Sequence, residues 1–303
     1  MYPITKDEIS QLKSEDIKKL ANLDSRGILV GPGETISDLQ KRLTTAEETY
    51  REIDQELQEK GEFELYKGMV IKKDLRISSK LLEKDCGITK TKYKFSINWV
   101  PGFFLSKSLG MLWGGCSITF PEEQYSVFLI RHNFKNKKKW LIYSRSELLS
   151  HEICHVARAP INDNPFEEHF AYAVSSSKLR QQIGNCFQSQ MDALLFIGPV
   201  FTLLAAQFYQ IFTQTPYSLV PFWLFAASGP AYLLIKNYYL RGKFNKALKK
   251  MLAAGFKDAE AILFRCTKAE IFEFAKEKAT KELVHAKVQT DLRWQVIGHR
   301  FIK

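Results

Sequence analysis

The run Ser144-Arg145-Ser146-Glu147-Leu148-Leu149-Ser150-His151-Glu152-Ile153-Cys154-His155-Val156-Ala157-Arg158 carries the most informative pattern in this chain. Ser144 with Glu147 three residues later fits a capping box. A helix is therefore expected to open here, run to about Arg158 and stop before Pro160. On it, His151 and His155 would lie one above the other on a single face. Two imidazoles so placed can ligate one Zn²⁺ at about 2.0–2.1 Å. Glu152 can reach a water beside that ion and take its proton, and the ion would bring the water's pKa toward about 7. Cys154 falls at a variable position of the motif and is expected to pack away from the metal.

A catalytic zinc site needs a third protein ligand and one open position. A second helix is expected from near Pro165, a favoured first-turn proline, to about Ile183. It begins Phe166-Glu167-Glu168-His169-Phe170-Ala171-Tyr172. Here the chain resembles the gluzincin metallopeptidases, in which HExxH is followed on a later helix by a glutamate ligand, often inside a pattern like (N/E)-E-x-x-A. The matching residues are Glu167-Glu168-His169-Phe170-Ala171. The resemblance covers roughly residues 95–183 and looks closest to small gluzincins with a short insert between the two helices. It implies zinc as cofactor, Glu168 as third ligand, Glu152 as general base, and peptide-bond hydrolysis. The short step from His155 to Glu168 leaves Glu167 and His169 as alternative ligands. Tyr172 could orient a ligand or simply pack in the core. Arg158 could pair with Glu167 or Glu147, or lie on the surface. No residue is assigned to stabilise the oxyanion; nothing in the sequence places His285 or His299 at the site.

Upstream, residues 65–143 change to aromatic and β-branched runs, at 93–100, 116–120, 125–134 and 138–144. They read as a small mixed or antiparallel sheet. Gluzincins usually carry an edge strand that pairs with an extended substrate. The stretch Leu112-Trp113-Gly114-Gly115-Cys116-Ser117 is the candidate, with Trp113, Gly114 and Gly115 touching substrate, because paired glycines let another backbone approach closely. The alternative is a glycine bulge or turn. In residues 1–60, two helical runs flank Gly31-Pro32-Gly33, which lacks the GK[ST] of a phosphate loop. This segment could cover the cleft as an inhibitory piece; packing as a structural layer is the expectation.

Residues 193–235 contain no charged side chain, which at about 20 residues per span suits two membrane-spanning helices, near 192–212 and 217–239. Thr213-Gln214-Thr215-Pro216 is the natural turn. Lys236, Arg241, Lys243, Lys246, Lys249 and Lys250 follow with no acid among residues 236–250. By the positive-inside rule both ends and the site are expected on the cytoplasmic side, with anionic lipid head groups as partners. The site precedes the first span, so cleavage within the bilayer is not indicated.

The expected architecture is thus α+β. A helical segment (1–60) precedes a zincin-like core (61–190) made of a small sheet, an active-site helix and a glutamate helix. A transmembrane helical hairpin (191–240) and a helical C-terminal segment (241–303) follow. Composition sets outer limits. With 45% hydrophobic and 25% charged residues, the chain is neither disordered nor wholly a membrane bundle. Five scattered cysteines, never in a CxxC pair, argue against a disulfide scaffold and a zinc knuckle. The first twenty residues hold no apolar segment, so no secretory signal is expected. The net charge of +11 is owed largely to the cluster after residue 235, and no nucleic-acid reader motif accompanies it. Two readings remain. One is a membrane-anchored zinc peptidase acting on peptide or protein substrates. The alternative is a catalytically silent zincin-like binding or scaffolding protein at the membrane.

Overall fold

The computed structural model describes residues 2–66, 68–105, 113–120, 125–289 and 291–302. Helix dominates, and strands among the described residues are confined to three small sheets, a mixed α+β composition. The chain opens with α1 (Lys6–Ser10), α2 (Ile17–Ser25) and α3 (Ile36–Glu59). Thr35 and Asp38 form a reciprocal capping box at the start of α3, just after the Gly-Pro-Gly break. Leu39, Leu43, Tyr50, Ile53 and Leu57 are the stripe that α3 buries. A hairpin of β1 (Glu62–Tyr66) and β2 (Met69–Lys72) follows, then α4 (Ser79–Asp85) and α5 (Gly87–Tyr93).

The sheet that matters for the site contains β3 (Gly102–Leu105), β4 (Gly115–Phe120) and β5 (Tyr125–Arg131). Apolar β5 is central, parallel to β3 and antiparallel to β4. Among the described residues this leaves β4 as an edge strand. Leu112 lies outside the described residues. The run 93–100 is not a strand: Tyr93 closes α5, and the next residues are irregular. Its alternating apolar side chains serve packing instead. Ile97 fills the space left by the missing side chain of Gly27, where a Cβ would sit 2.3 Å away.

A second hairpin, β6 (Lys139–Trp140) and β7 (Tyr143–Ser144), leads directly into α6 (Arg145–Arg158). Ser144 caps α6 by accepting from the Glu147 N–H. The helix expected over about 165–183 is split into α7 (Asn164–Tyr172) and α8 (Lys178–Ile183). Serines cause the break. The Ser175 hydroxyl accepts from the Ser177 N–H and from Arg180, and Ser177 caps α8.

Helices α9 (Gln190–Thr213) and α10 (Val220–Ala253) form an antiparallel pair joined by residues 214–219. Leu203, Ala206, Ala226, Gly229 and Leu233 are buried along them. The expected boundary between 240 and 241 falls inside α10, which continues unbroken and places Leu240, Phe244, Ala247 and Met251 in the main core. Among the described residues, α9 is the one helix long and apolar enough to cross a membrane, and only 22% of its most apolar window is buried. Pro221, Pro230 and Lys236 dilute the apolar character of α10.

Gly255, at φ +96°, terminates α10 in the left-handed conformation. Then come α11 (Ala259–Phe264), α12 (Lys268–Lys276), α13 (Thr280–Val288) and α14 (Leu292–Phe301). Thr267 and Glu270 form the expected capping box of α12. Leu292 and Val296 of α14 share an apolar cluster with Ile9, Leu20 and Leu39, so the two ends of the chain build one layer.

Candidate metal centre and active site

Helix α6 buries Leu149, Ile153, Cys154 and Ala157 in the main core. That choice of face turns His151 and His155 the other way, toward α7. Phe166, Phe170 and Ala171 anchor α7 in the same core, which presents Glu167 and Glu168 to the histidines. The two Nε2 atoms are 3.2 Å apart. Glu168 completes the triangle, with Oε2 3.6 Å from His151 Nε2 and Oε1 3.6 Å from His155 Nε2. Among the described residues these three are the group whose donor atoms converge closely enough to hold an ion. One donor atom from each of the three lies within 4.8 Å of the others, near enough to gather about a single ion, and two imidazoles with a carboxylate are a donor set whose chemistry suits zinc.

The alternatives for the third ligand have other tasks. Glu167 Oε2 lies 3.8 Å from His155 Nδ1, on the far side of that ring, while Oε1 accepts from Arg158 Nε at 2.8 Å. Arg158 is fully buried, and its guanidinium also donates to the Phe264 carbonyl. Arg158 therefore fixes Glu167, and Glu167 orients His155, an arrangement that sets ring direction and basicity at metal sites. His169 is buried against Phe244, with ring centroids 4.3 Å apart. Tyr172 stands edge-on to His151 at 4.6 Å between ring centroids. His151 also hydrogen-bonds the backbone of Ala171. His285 and His299 lie on α13 and α14 and do not join the cluster.

The electrostatics separate the two histidines. Burial and the neighbouring His155 push His151 down to about 3. Burial opposes charge on His155 too, but the Glu167 carboxylate, which accepts from the ring, and the charges of Glu168 and Glu152 outweigh it and raise it to about 9. The surroundings thus favour the protonated form of His155 and the neutral form of His151. Glu152 is buried, and that burial, reinforced by Glu168 and opposed by His155, lifts its carboxyl to about 7. Ser117 of β4 bonds Glu152 through both hydroxyl and backbone.

Two hollows flank the centre. A small one, about 130 Å³, is lined by Gly114, Gly115, His151, Glu152 and Tyr172, with Tyr143 and Arg180 at one side. A larger one, about 570 Å³, reaches from His155 and Glu167 to Glu34, Arg42 and Trp99, with Thr119 of β4 among its walls. The edge strand therefore runs past both, with Ser117 at the centre between them. The N-terminal segment packs as a layer and also walls the larger hollow. Gly114 and Gly115 stand at the small cleft, but Trp113 packs on the apolar cluster that contains Val127 and Leu129. Gly115 is required by the sheet itself, since a Cβ there would lie 2.8 Å from the Leu129 carbonyl oxygen.

The roles of Ser117, Glu147 and Arg180 were not legible in advance. Glu147 does not complete a capping box; it accepts from Ser176 N–H and from Arg180. Only the proximity of Ser117 to the glycine pair hinted at its position. Comparison with protein-family models, with curated proteins and with solved structures finds no match to this chain.

Proposed function

We propose that this chain is a membrane-anchored zinc peptidase of gluzincin type. The observation that carries the reading is the convergence of His151, His155 and Glu168, whose donor atoms lie within 4.8 Å of one another, with Glu152 buried beside them. His151, His155 and Glu168 would hold the zinc. When bound, zinc supplies the Lewis acidity that makes a water nucleophilic near neutral pH and polarises the scissile carbonyl. Glu152 takes one proton from the attacking water as its oxygen bonds the carbonyl carbon. It then passes that proton to the nitrogen as the carbon–nitrogen bond breaks, leaving a carboxylic acid and an amine. Ser117 holds the Glu152 carboxylate in place, and Arg158 acts through Glu167 on the direction of His155. The edge of β4 offers backbone pairing to an extended peptide or protein substrate.

The anchoring reading rests on α9 and on the exposed apolar faces of the α9–α10 pair, which include Phe201, Phe212, Trp223 and Ile235. In it the two helices both span, with the chain ends and the site cytoplasmic and the basic residues in the C-terminal half of α10 facing anionic head groups.

Metal analysis and peptide hydrolysis by full-length protein in detergent test the proposal. Glu152→Gln should keep about one zinc per chain while hydrolysis falls by roughly 10²–10⁴-fold. His151→Ala should lose the metal. Zinc retained by His151→Ala would sink the site; zinc bound with no hydrolysis of any peptide by the unaltered chain would favour a silent scaffold.

A further inference from the structure

The tip of the β6–β7 hairpin reads Lys137-Lys138-Lys139-Trp140-Leu141-Ile142-Tyr143. Three exposed lysines precede two aliphatic side chains bracketed by Trp and Tyr. Leu141 is 64% exposed and Ile142 70%, although β-branched and aliphatic residues at a two-residue turn gain nothing from contact with water. Leu141 also takes φ +50°, a conformation usually given to Gly or Asn. The turn thus presents apolar side chains where polar ones would suit it better in water.

The tip does not stand alone. Arg180 of α8 donates to the Ile142 carbonyl and pairs with Glu147, clamping the tip to α8. On α8, Leu179 and Ile183 are exposed one turn apart. The C-terminal end of α8 is tied to α10: Asn237 donates to the Gln182 carbonyl and Arg241 to the Gln181 carbonyl. That is the level at which the apolar part of α10 gives way to its basic part, marked by the exposed Tyr238 and Tyr239. Tip, α8 and the end of the apolar helix pair therefore form one continuous apolar, aromatic and basic band.

We infer that the β6–β7 tip and α8 insert into the lipid head-group layer of an anionic membrane, so that the small cleft of the site opens onto the bilayer surface. Trp and Tyr at such a depth, with lysines beside them, are what an interface selects. The cleft shares its wall with this band, because Tyr143 follows Ile142 and Arg180 follows Leu179. A polypeptide entering that end runs along the membrane, which singles out segments emerging from the bilayer as the substrate class. The inference rests on the anchoring reading above.

The test uses full-length protein in nanodiscs of phosphatidylcholine with phosphatidylglycerol. An environment-sensitive fluorophore is attached at Ile142→Cys, Leu179→Cys, Phe212→Cys or Glu15→Cys, with the unaltered chain labelled alongside to subtract native thiols. Lipids carrying a quencher near the head group should dim the labels at 142 and 179 about twofold, since an interfacial face sits about 5–10 Å into the boundary, and leave the label at 15 bright. Quenching within the disc at 212 but not at 142 or 179 would overturn the inference while leaving the anchor standing, as expected if the band binds a protein instead. A label at 212 untouched by lipid quenchers at any depth would overturn both.

Discussion

At the scale of single residues, the proposed zinc site would exchange a proton for a cation. His155, raised to about 9, holds a proton at neutral pH; His151, lowered to about 3, does not. Both rings must be neutral to ligate an ion, so uptake at pH 7 should release about one proton. Affinity should rise with pH up to about 9 and level off above it, because a raised histidine keeps its proton below that value. Calorimetry in buffers of different ionisation enthalpy reads the proton count, and zero release at pH 7 would contradict this electrostatic picture. The pair of acids on α7 offers a second test. Glu167→Gln removes the carboxylate that orients His155 and should weaken zinc binding about 10–100-fold. Glu168→Gln removes the proposed ligand and should weaken it further, as measured by competition with a chelator. The reverse ranking would make Glu167 the ligand.

At the scale of elements, the helix that bears the two histidines was readable because its evidence is local. Ser144 caps it, the apolar residues at 149, 153 and 157 set its buried face, and the two histidines follow from helical period alone. The end of the following helix was less so. A run of three serines is compatible with helix, and it breaks here because Ser175 finds partners in Ser177 and Arg180 that the pattern does not announce. Residues 93–100 alternate like a strand, yet no strand among the described residues pairs with them. The α9–α10 pair carries its own test. At Gly229 a Cβ would lie 2.2 Å from the Leu195 carbonyl oxygen, so the two backbones touch there, whereas Gly198 has nothing within 4 Å. Gly229→Leu should therefore cost about 1–3 kcal/mol and lower the melting temperature in detergent, with Gly198→Leu close to neutral. Equal effects would mean that the helices do not pack as described.

At the scale of the whole molecule, distant parts of the chain are tied by charge. Asp24 on α2 accepts from Arg265, just beyond α11, at 2.8–3.0 Å and also from Arg300 of α14. Arg265 is 1% exposed, and burial lowers it to about 9. Replacing Asp24 leaves that cation buried without its partner, a loss of about 3–5 kcal/mol, so Asp24→Ala should melt well below the unaltered protein while zinc binding by the folded fraction persists. A melting temperature unchanged by Asp24→Ala would show that the tie contributes nothing. Helix α10 adds a mechanical link, since it continues from the exposed apolar pair to Phe244, which lies against His169 and Phe170 of the glutamate helix.

The two histidines, the helix that bears them and the long uncharged stretch could be read directly, because each depends on neighbours within a turn or two of chain. Which acid faces the histidines could not, since Glu167 and Glu168 differ only by the rotation of α7, and that rotation is set by Phe166, Phe170 and Phe244 packing in the core. Nor could the partnership of Ser117 with Glu152, the burial of Arg158, or the joining of both chain ends into one layer be seen beforehand. These contacts close long loops, and only the packing of the complete fold supplies the apolar burial that offsets the lost chain entropy.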